Sequence, residues 1–446
     1  MNFPILPYSP IIIDAKCHHF YYAVSKCLSC HDNTYRSHVK KELLKLWTTD
    51  LNKNNVLPLL SVRTGLDLYL TALNFPKGSE MIMTAVNIPD MSTIVKHHGL
   101  VIVPLDISLD TLEPKLELLD KLITTKTVGI LVAHLYGRVI PMDNIIVIAK
   151  QKNLIIIEDC AESFNGFTHI GNPLSDISLF SFGVIKFYTS FGGCIAKVRD
   201  QNVYKKMCDI QQTYPLQTAD IYFKKVLKYL VIFSWLQISP LPKIGRIVLN
   251  QFGVDYKALF VKWMRGFPDQ MLKMIRCQPS TALLATMLYR QRNFNQTEFD
   301  LQKQKAEYFF QKLPLGFKPV GMKADINNFW LCPVLVDSPD EVVKQLNLHG
   351  VDAYRGATQL KNIEPCDEIA HRFTLLDGIS SKETRSTSLC YPHEAKYLIE
   401  HVIYLPVSKF VPFDCLDNML KACAFVMKTF HQSVPRVQGK LLKSKL

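Results

Sequence analysis

Between Val62 and Val198 the apolar residues switch repeatedly between two spacings, and this alternation constrains the fold more than any other feature of the chain. Thr64–Leu73 carries Leu66, Tyr69, Leu70 and Leu73 at helical spacing. Met81–Val86 and Val101–Leu105 read as strands. Val128–Ala133 reads as a short buried strand running into His134-Leu-Tyr-Gly137. Met142–Lys152 is patterned as an amphipathic helix, and Leu154–Asp159 follows as another buried strand. Ile177–Phe182 and Cys194–Val198 supply two more. Strands alternating with helices predict an α/β fold with a large, mostly parallel sheet and helices on both faces.

The flanking regions differ. Residues 1–55 read as an irregular, partly helical N-terminal extension. Residues 56–275 form the expected large domain, which includes an apolar insert over 204–275. Residues 276–446 are expected to hold a connecting helix and a smaller α+β lobe. In that lobe Ser280–Leu313 is helical, Phe329–Val336 is a strand, Ser338-Pro-Asp-Glu opens a helix that Gly350 ends, and a last amphipathic helix covers about 414–428. Within the insert, Tyr229–Ile238 is strongly apolar, is flanked by Lys224, Lys225, Lys228 and Lys243, and is closed by Pro240 and Pro242. It is too short to span a bilayer. A helix packed on the protein or at a subunit interface is expected, with a surface-lying membrane helix as the alternative.

A chain of 446 residues can bury a sizeable core. Its 48% hydrophobic and 20% charged content is that of an ordinary globular protein. The net charge of +13 fits an anionic substrate or weak attraction to a membrane surface. The basic residues form no dense stripe, so no nucleic-acid partner is expected. The twelve cysteines are scattered, and several lie inside apolar runs, as Cys194 and Cys332 do. That suits reduced thiols in the cytoplasm better than a disulfide framework. The N-terminus lacks the basic start of a secretion signal.

Two residues carry the chemistry. Lys186 follows an apolar strand and stands in apolar company before Gly192-Gly193, and Asp159 closes the Leu154 strand. A desolvated lysine can act as an amine nucleophile or form a Schiff base. An aspartate at a strand's end can hold a protonated ring nitrogen, and the two together are what pyridoxal phosphate chemistry needs. Taken alone, a lysine after a strand is more often a solvated loop residue, and a strand-end aspartate a cap or turn residue.

The order Arg63-Thr-Gly-Leu, His134-Leu-Tyr-Gly, Glu158-Asp-Cys-Ala-Glu162, Phe180-Ser-Phe, Lys186 and Gly192-Gly resembles the DegT/DnrJ/StrS-type sugar aminotransferases, fold-type-I pyridoxal phosphate enzymes. The resemblance is dense over about 60–200 and continues weakly to about 430 through Tyr404-Leu-Pro-Val. It implies transfer of an amino group from an amino acid, glutamate expected, to a keto group of an anionic nucleotide-linked sugar, with a non-catalytic scaffold of the same fold, or a pyridoxal phosphate enzyme acting on a non-sugar substrate, as the alternatives. It implies that Lys186 carries the cofactor and moves a proton, and that Asp159 pairs with the ring nitrogen. It implies that Ser181, Thr64 and Gly65 hold the phosphate, and that Glu162 and Ile88 lie against the ring. It also implies a homodimer. Three departures stand out. Ile88 replaces a usual aromatic, Glu162 replaces a usual Gln or His, and the partner-subunit phosphate contact has no match in 204–275.

Other signals are weaker. Cys27-Leu-Ser-Cys30-His31 has haem-attachment spacing, and Cys17, His18 and His19 lie near it. Both are read as ordinary sequence, with no metal expected. Ser444-Lys445-Leu446 has the form of a peroxisomal address, which matters only in a eukaryote. His134 is expected to be a satisfied buried histidine. Arg355 could meet a substrate anion or a neighbouring carboxylate.

Overall fold

The architecture is that of a computed structural model, which describes residues 3–29, 32–48, 55–237, 244–245, 256–264, 270–378 and 388–433. Seven strands form the central sheet. From one edge they run Asn55–Leu59, Cys194–Val198, Ile177–Ser181, Ile155–Cys160, Thr127–Ala133, Glu80–Thr84 and Val101–Leu105. Cys194–Val198 is antiparallel to both of its neighbours, and the other pairings are parallel. The mostly parallel α/β sheet is therefore as the periodicity predicts. Burial on both faces explains the near-continuous apolar runs. Most of Glu80–Thr84 and Ile155–Cys160 is fully buried.

The Val62–Leu73 helix begins at Ser61, whose Oγ accepts the Thr64 N–H at 3.2 Å. It ends at Asn74 in the left-handed region, φ 49°. The C-terminal lobe has a small antiparallel sheet of Lys318–Pro319, Pro333–Leu335 and Val402–Tyr404. Helices Gln296–Gln311, Pro339–Leu348 and Phe413–Ser433 pack on it around their own apolar core. The strand expected over 329–336 shrinks to Pro333–Leu335. Asn328, Phe329 and Trp330 turn aside instead, with Phe329 at φ 52°.

The N-terminal region is partly helical as expected, and two regions gain a place in the core that their sequence does not announce. The N-terminal residues form two helices, Cys17–Leu28 and Asn33–Trp47, that join the main core. Trp47 is fully buried, and its Nε1 donates to Gln291 Oε1 at 2.8 Å. The apolar insert forms the Ala219–Gln237 helix, and its inner face is covered by this chain itself. Phe233 is 6% and Leu236 4% exposed, and Phe233 packs on Phe20 with ring centroids 5.0 Å apart. Of the two arrangements expected, packing on the protein itself holds for these residues, and the subunit-interface reading is corrected for Phe233, which the N-terminal helix of the same chain covers. Pro240, Pro242, Lys243, Cys30, His31 and the terminal Ser444-Lys445-Leu446 lie outside the described residues. Among the described residues no helix is long and apolar enough to cross a membrane.

Candidate active site

Parallel strands present their C-terminal ends to one side of a sheet, where ligands of such folds bind. Here those ends deliver Asp159 and Ser181, and the turns beyond them deliver Asn87, His134, Glu162 and Lys186. All six line one cavity of about 170 Å³ between the large domain and the C-terminal lobe.

Lys186 sits in a loop locked by backbone hydrogen bonds. The Phe182 carbonyl accepts the N–H groups of Ser190 and Gly192 at 3.0 and 3.1 Å. Tyr188, Phe191 and Gly193 hold positive φ. At Gly193 (φ 93°) a Cβ would stand 2.3 Å from Met287 Sδ, so only glycine fits there. The Tyr188 N–H donates to Asp14 Oδ2 at 2.8 Å, which ties the loop to the N-terminal segment. Burial would raise the Asp14 carboxyl, but Lys409 at 2.7 Å and Arg290 outweigh it and hold it below its ordinary range. The Lys186 ammonium donates to Glu162 Oε1 at 3.1 Å and lies 4.2 Å from the centroid of the Trp330 ring. Glu162 Oε2 accepts the Tyr136 N–H at 3.0 Å. Bonding of Lys186 to a carbon requires it to leave that ion pair.

Asp159 is buried. Its Oδ1 accepts the Ala161 N–H at 3.1 Å, and its Oδ2 faces Asn87 Nδ2 at 3.4 Å. Burial pushes its carboxyl up to about 6, against the opposing pull of the Ala161 N–H and of Lys186. A carboxylate short of positive partners at the inner wall of a cavity suits a cationic ring nitrogen.

Ser181 lines the cavity, with its Oγ 3.4 Å from the Gly183 N–H. Thr64 and Gly65 do not line it. The Thr64 N–H is taken by Ser61 Oγ, its hydroxyl donates to the Ile275 carbonyl at 2.9 Å, and the Gly65 N–H is taken by the Ser61 carbonyl at 3.1 Å. Those donors are therefore spent, and the expectation that Thr64 and Gly65 hold a phosphate is corrected. Ser61, Val62 and Arg63 are the residues of that helix end in the cavity wall. Val62 holds the first helical position, where geometry provides no intrahelical acceptor for its N–H. Gly65 has another reason to be glycine: a Cβ there would meet Leu179 Cδ2 at 2.6 Å, so it sets how closely the helix approaches the sheet.

Ile88 lines the cavity, and its N–H is held by Asn87 Oδ1 at 2.7 Å. His134 is half satisfied. Its Nδ1 accepts the Ile140 N–H at 2.9 Å, while its Nε2 has no hydrogen-bond partner among the described residues. Burial, then His169, lowers its pKa to about 3, so the ring is neutral. Arg355 meets neighbours of its own lobe, Asp340 at 2.9 Å and the Glu400 carbonyl at 2.6 Å.

Several wall residues carry no local sequence signal. Ile11 comes from the N-terminal segment, Lys225 and Tyr229 from the Ala219–Gln237 helix, and Val261 and Met264 from the Tyr256–Met264 helix. The Trp330 contact arises from the turn that replaces part of the expected strand.

Residues 48–227 match the model of the DegT/DnrJ/EryC1/StrS aminotransferase family. The chain is similar to that family over those 180 of its 446 residues. A GDP-perosamine synthase of Escherichia coli O157:H7 is 30% identical over 183 residues, 40% of this chain and 50% of that protein. The chain thus spans about half the length of the curated relative it matches. Among solved structures, the sugar aminotransferase Spr1654 of Streptococcus pneumoniae in its PMP form superposes with a TM-score of 0.64 at 16% identity, covering 95% of this chain and 99% of that one. A GDP-4-keto-6-deoxy-D-mannose-3-dehydratase of E. coli, solved with bound hydrated PLP, gives 0.62 at 15% identity over 94% and 99%. At such identities these two likenesses show the fold, which is fold type I, and they include an aminotransferase and a dehydratase alike.

Proposed function

We propose that this chain is a pyridoxal-phosphate-dependent aminotransferase that moves an amino group from an amino acid, glutamate being the expected donor, to a keto group on a nucleotide-linked sugar. The observation that carries the reading is one cavity with a primary amine, Lys186, on one wall and a buried carboxylate, Asp159, on another. The residues fit the group. Asp159 would hold the protonated ring nitrogen, and Ile88 would pack on the ring in place of an aromatic. Ser181 and the Ser61–Arg63 turn would face the phosphate. When bound, pyridoxal phosphate supplies an electron sink for the carbon that loses or gains a proton. Lys186 is the side chain placed to anchor it and then to move that proton at Nζ. Glu162 holds the Lys186 ammonium in position and sets a negative charge beside the substrate space. The family match over residues 48–227 and the relatives' sugar chemistry support the acceptor class, as does the net charge of +13, which favours an anionic substrate.

The test is the visible absorbance of the purified protein with pyridoxal phosphate, before and after borohydride. A reducible chromophore that maps to the Lys186 peptide and is lost in Lys186→Ala is expected. Attachment at another lysine, or none under any condition, removes the reading and leaves a scaffold of the same fold.

A further inference from the structure

The turn that replaces part of the expected strand is pinned to the large domain residue by residue. Ile326–Asn327 pairs with Arg138–Val139. Arg138 is fully buried, and its guanidinium donates to the carbonyls of Tyr136 and Val320 at 2.8 Å and of Leu331 at 3.1 Å. Asn328 Nδ2 donates to the Phe164 carbonyl at 2.7 Å, and its Oδ1 accepts the Trp330 N–H at 2.8 Å. Trp330 Nε1 in turn donates to the Ile185 carbonyl at 2.9 Å, next to Lys186. The ring is therefore fixed at both ends, 3% exposed, with the Lys186 ammonium 4.2 Å from its centroid. Glu162 Oε1 takes the same ammonium at 3.1 Å, and the two side chains of that pair are 15% and 8% exposed.

We propose that Glu162 and Trp330 are a holding site for the free Lys186 ammonium, and that this site biases the protein toward pyridoxamine phosphate over pyridoxal phosphate. The inference rests on the pyridoxal phosphate reading above. To retain the aldehyde, Lys186 Nζ forms a double bond to its carbon, and two of the three Nζ protons leave with the aldehyde oxygen as water. Nζ must then quit Glu162 and the Trp330 ring. Glu162 keeps the Tyr136 N–H at 3.0 Å but loses its cation. Removing one partner of a largely buried ion pair is costly, because the other charge stays buried. Pyridoxamine phosphate already carries an amine and forms no bond to Lys186, so the ion pair and the ring contact both survive. Asp159 would meet the same ring nitrogen in both forms, which leaves the choice between them to Glu162 and Trp330. Glu162 touches the reacting amine itself, and Trp330 is a positioning residue supplied by the C-terminal lobe.

The test titrates the cofactor-free protein with pyridoxamine phosphate and with pyridoxal phosphate and takes the ratio of the two affinities, so that effects common to both ligands cancel. In Glu162→Gln, which keeps the shape and removes the charge, the preference for the amine should fall roughly tenfold to a hundredfold. Trp330→Leu should lower it about twofold to fivefold, and Trp330→Phe, which keeps a ring face, by less. In a Lys186→Ala background Glu162→Gln should leave the ratio unchanged, because the ammonium it acts through is gone. An equal shift with and without Lys186 would assign the effect to a direct contact between Glu162 and the ligand and overturn the holding site. An unchanged ratio in Glu162→Gln, with both ligands still bound, overturns the proposal and leaves the proposed function standing. A parent that binds neither ligand overturns both.

Discussion

Asp159 and Lys186 reach the cavity from the end of a parallel strand and the loop after another, whereas Lys225 and Met264 reach it from helices whose apolar residues serve mainly to pack them. The strand-end wall is built by local rules. A buried apolar run must stop, the chain must turn, and whatever follows lies on the ligand side of the sheet. The helical wall obeys no such rule. Which face of the Ala219–Gln237 helix meets the cavity depends on the N-terminal helix, which is far away in sequence, covering Phe233. The difference teaches that chemistry at strand ends is announced in sequence, while chemistry on a packing helix is hidden among core residues.

Substitution on the helical wall should give the largest effect. Phe233→Asp sets a carboxylate against Phe20 in a dry core and should cost more than about 4 kcal/mol, read as loss of folding in urea. Val231→Asp, on the 63% exposed face of the same helix, should stay within about 0.5 kcal/mol. A folded Phe233→Asp chain that merely changes oligomeric state would restore the subunit-interface reading.

On the strand-end wall, Asp159→Asn should retain cofactor but lose transamination by roughly a hundredfold to a thousandfold, the scale of one lost electrostatic stabiliser. It should also act on the cofactor-free protein. The Asp159 carboxyl lies at about 6 in the folded chain against an ordinary 3.8, so the folded state holds its proton to higher pH. Its contribution to stability therefore falls as pH rises from about 3.8 to about 6, and remains lower above that window. Asp159→Asn should remove this fall and leave the cofactor-free chain roughly 1–3 kcal/mol more stable than the parent at pH 7, by thermal or urea unfolding. Equal stability slopes over that window would show that the carboxyl is not desolvated.

Ser181→Ala removes one hydrogen bond to a charged group, worth about 1.5–3 kcal/mol. Faster loss of pyridoxal phosphate on dialysis is expected, with activity restored by adding it back. Unchanged retention would shift the phosphate contacts to the Ser61–Arg63 turn.

Gly65→Ala should have the smallest effect. The added methyl meets Leu179 at 2.6 Å, an overpacking cost of about 1–3 kcal/mol, while alanine regains about 1 kcal/mol of helix propensity. A net loss of about 1 kcal/mol in stability with unchanged cofactor affinity is expected. Weakened cofactor binding at full stability would return Gly65 to the phosphate site.

The legible part of the site follows this division. Lys186, Asp159, Ser181, Glu162 and Ile88 were named from sequence, and all five line the cavity. Thr64 and Gly65 were named for the right helix at the wrong positions. A helix start read from sequence is uncertain by a residue or two, and it is Leu60, Ser61, Val62 and Arg63 that reach the cavity, not Thr64 or Gly65. Asn87 and Trp330 came into view only with the fold. The Asn87 amide matters because Asp159 lies opposite it, and Trp330 because its segment turns instead of extending.

The sequence by itself determined the parallel sheet, the strand-end carboxylate and amine, and the family resemblance, because each depends on short-range pattern: period, punctuation and motif order. Tertiary structure alone decided that the N-terminal segment braces the Lys186 loop through Asp14, and that the apolar insert faces inward. It also decided that Lys225 shares a cavity with Lys186. The physical reason is that an apolar helix carries no address. It buries whichever face finds a partner, and that partner is chosen by the packing of the whole chain.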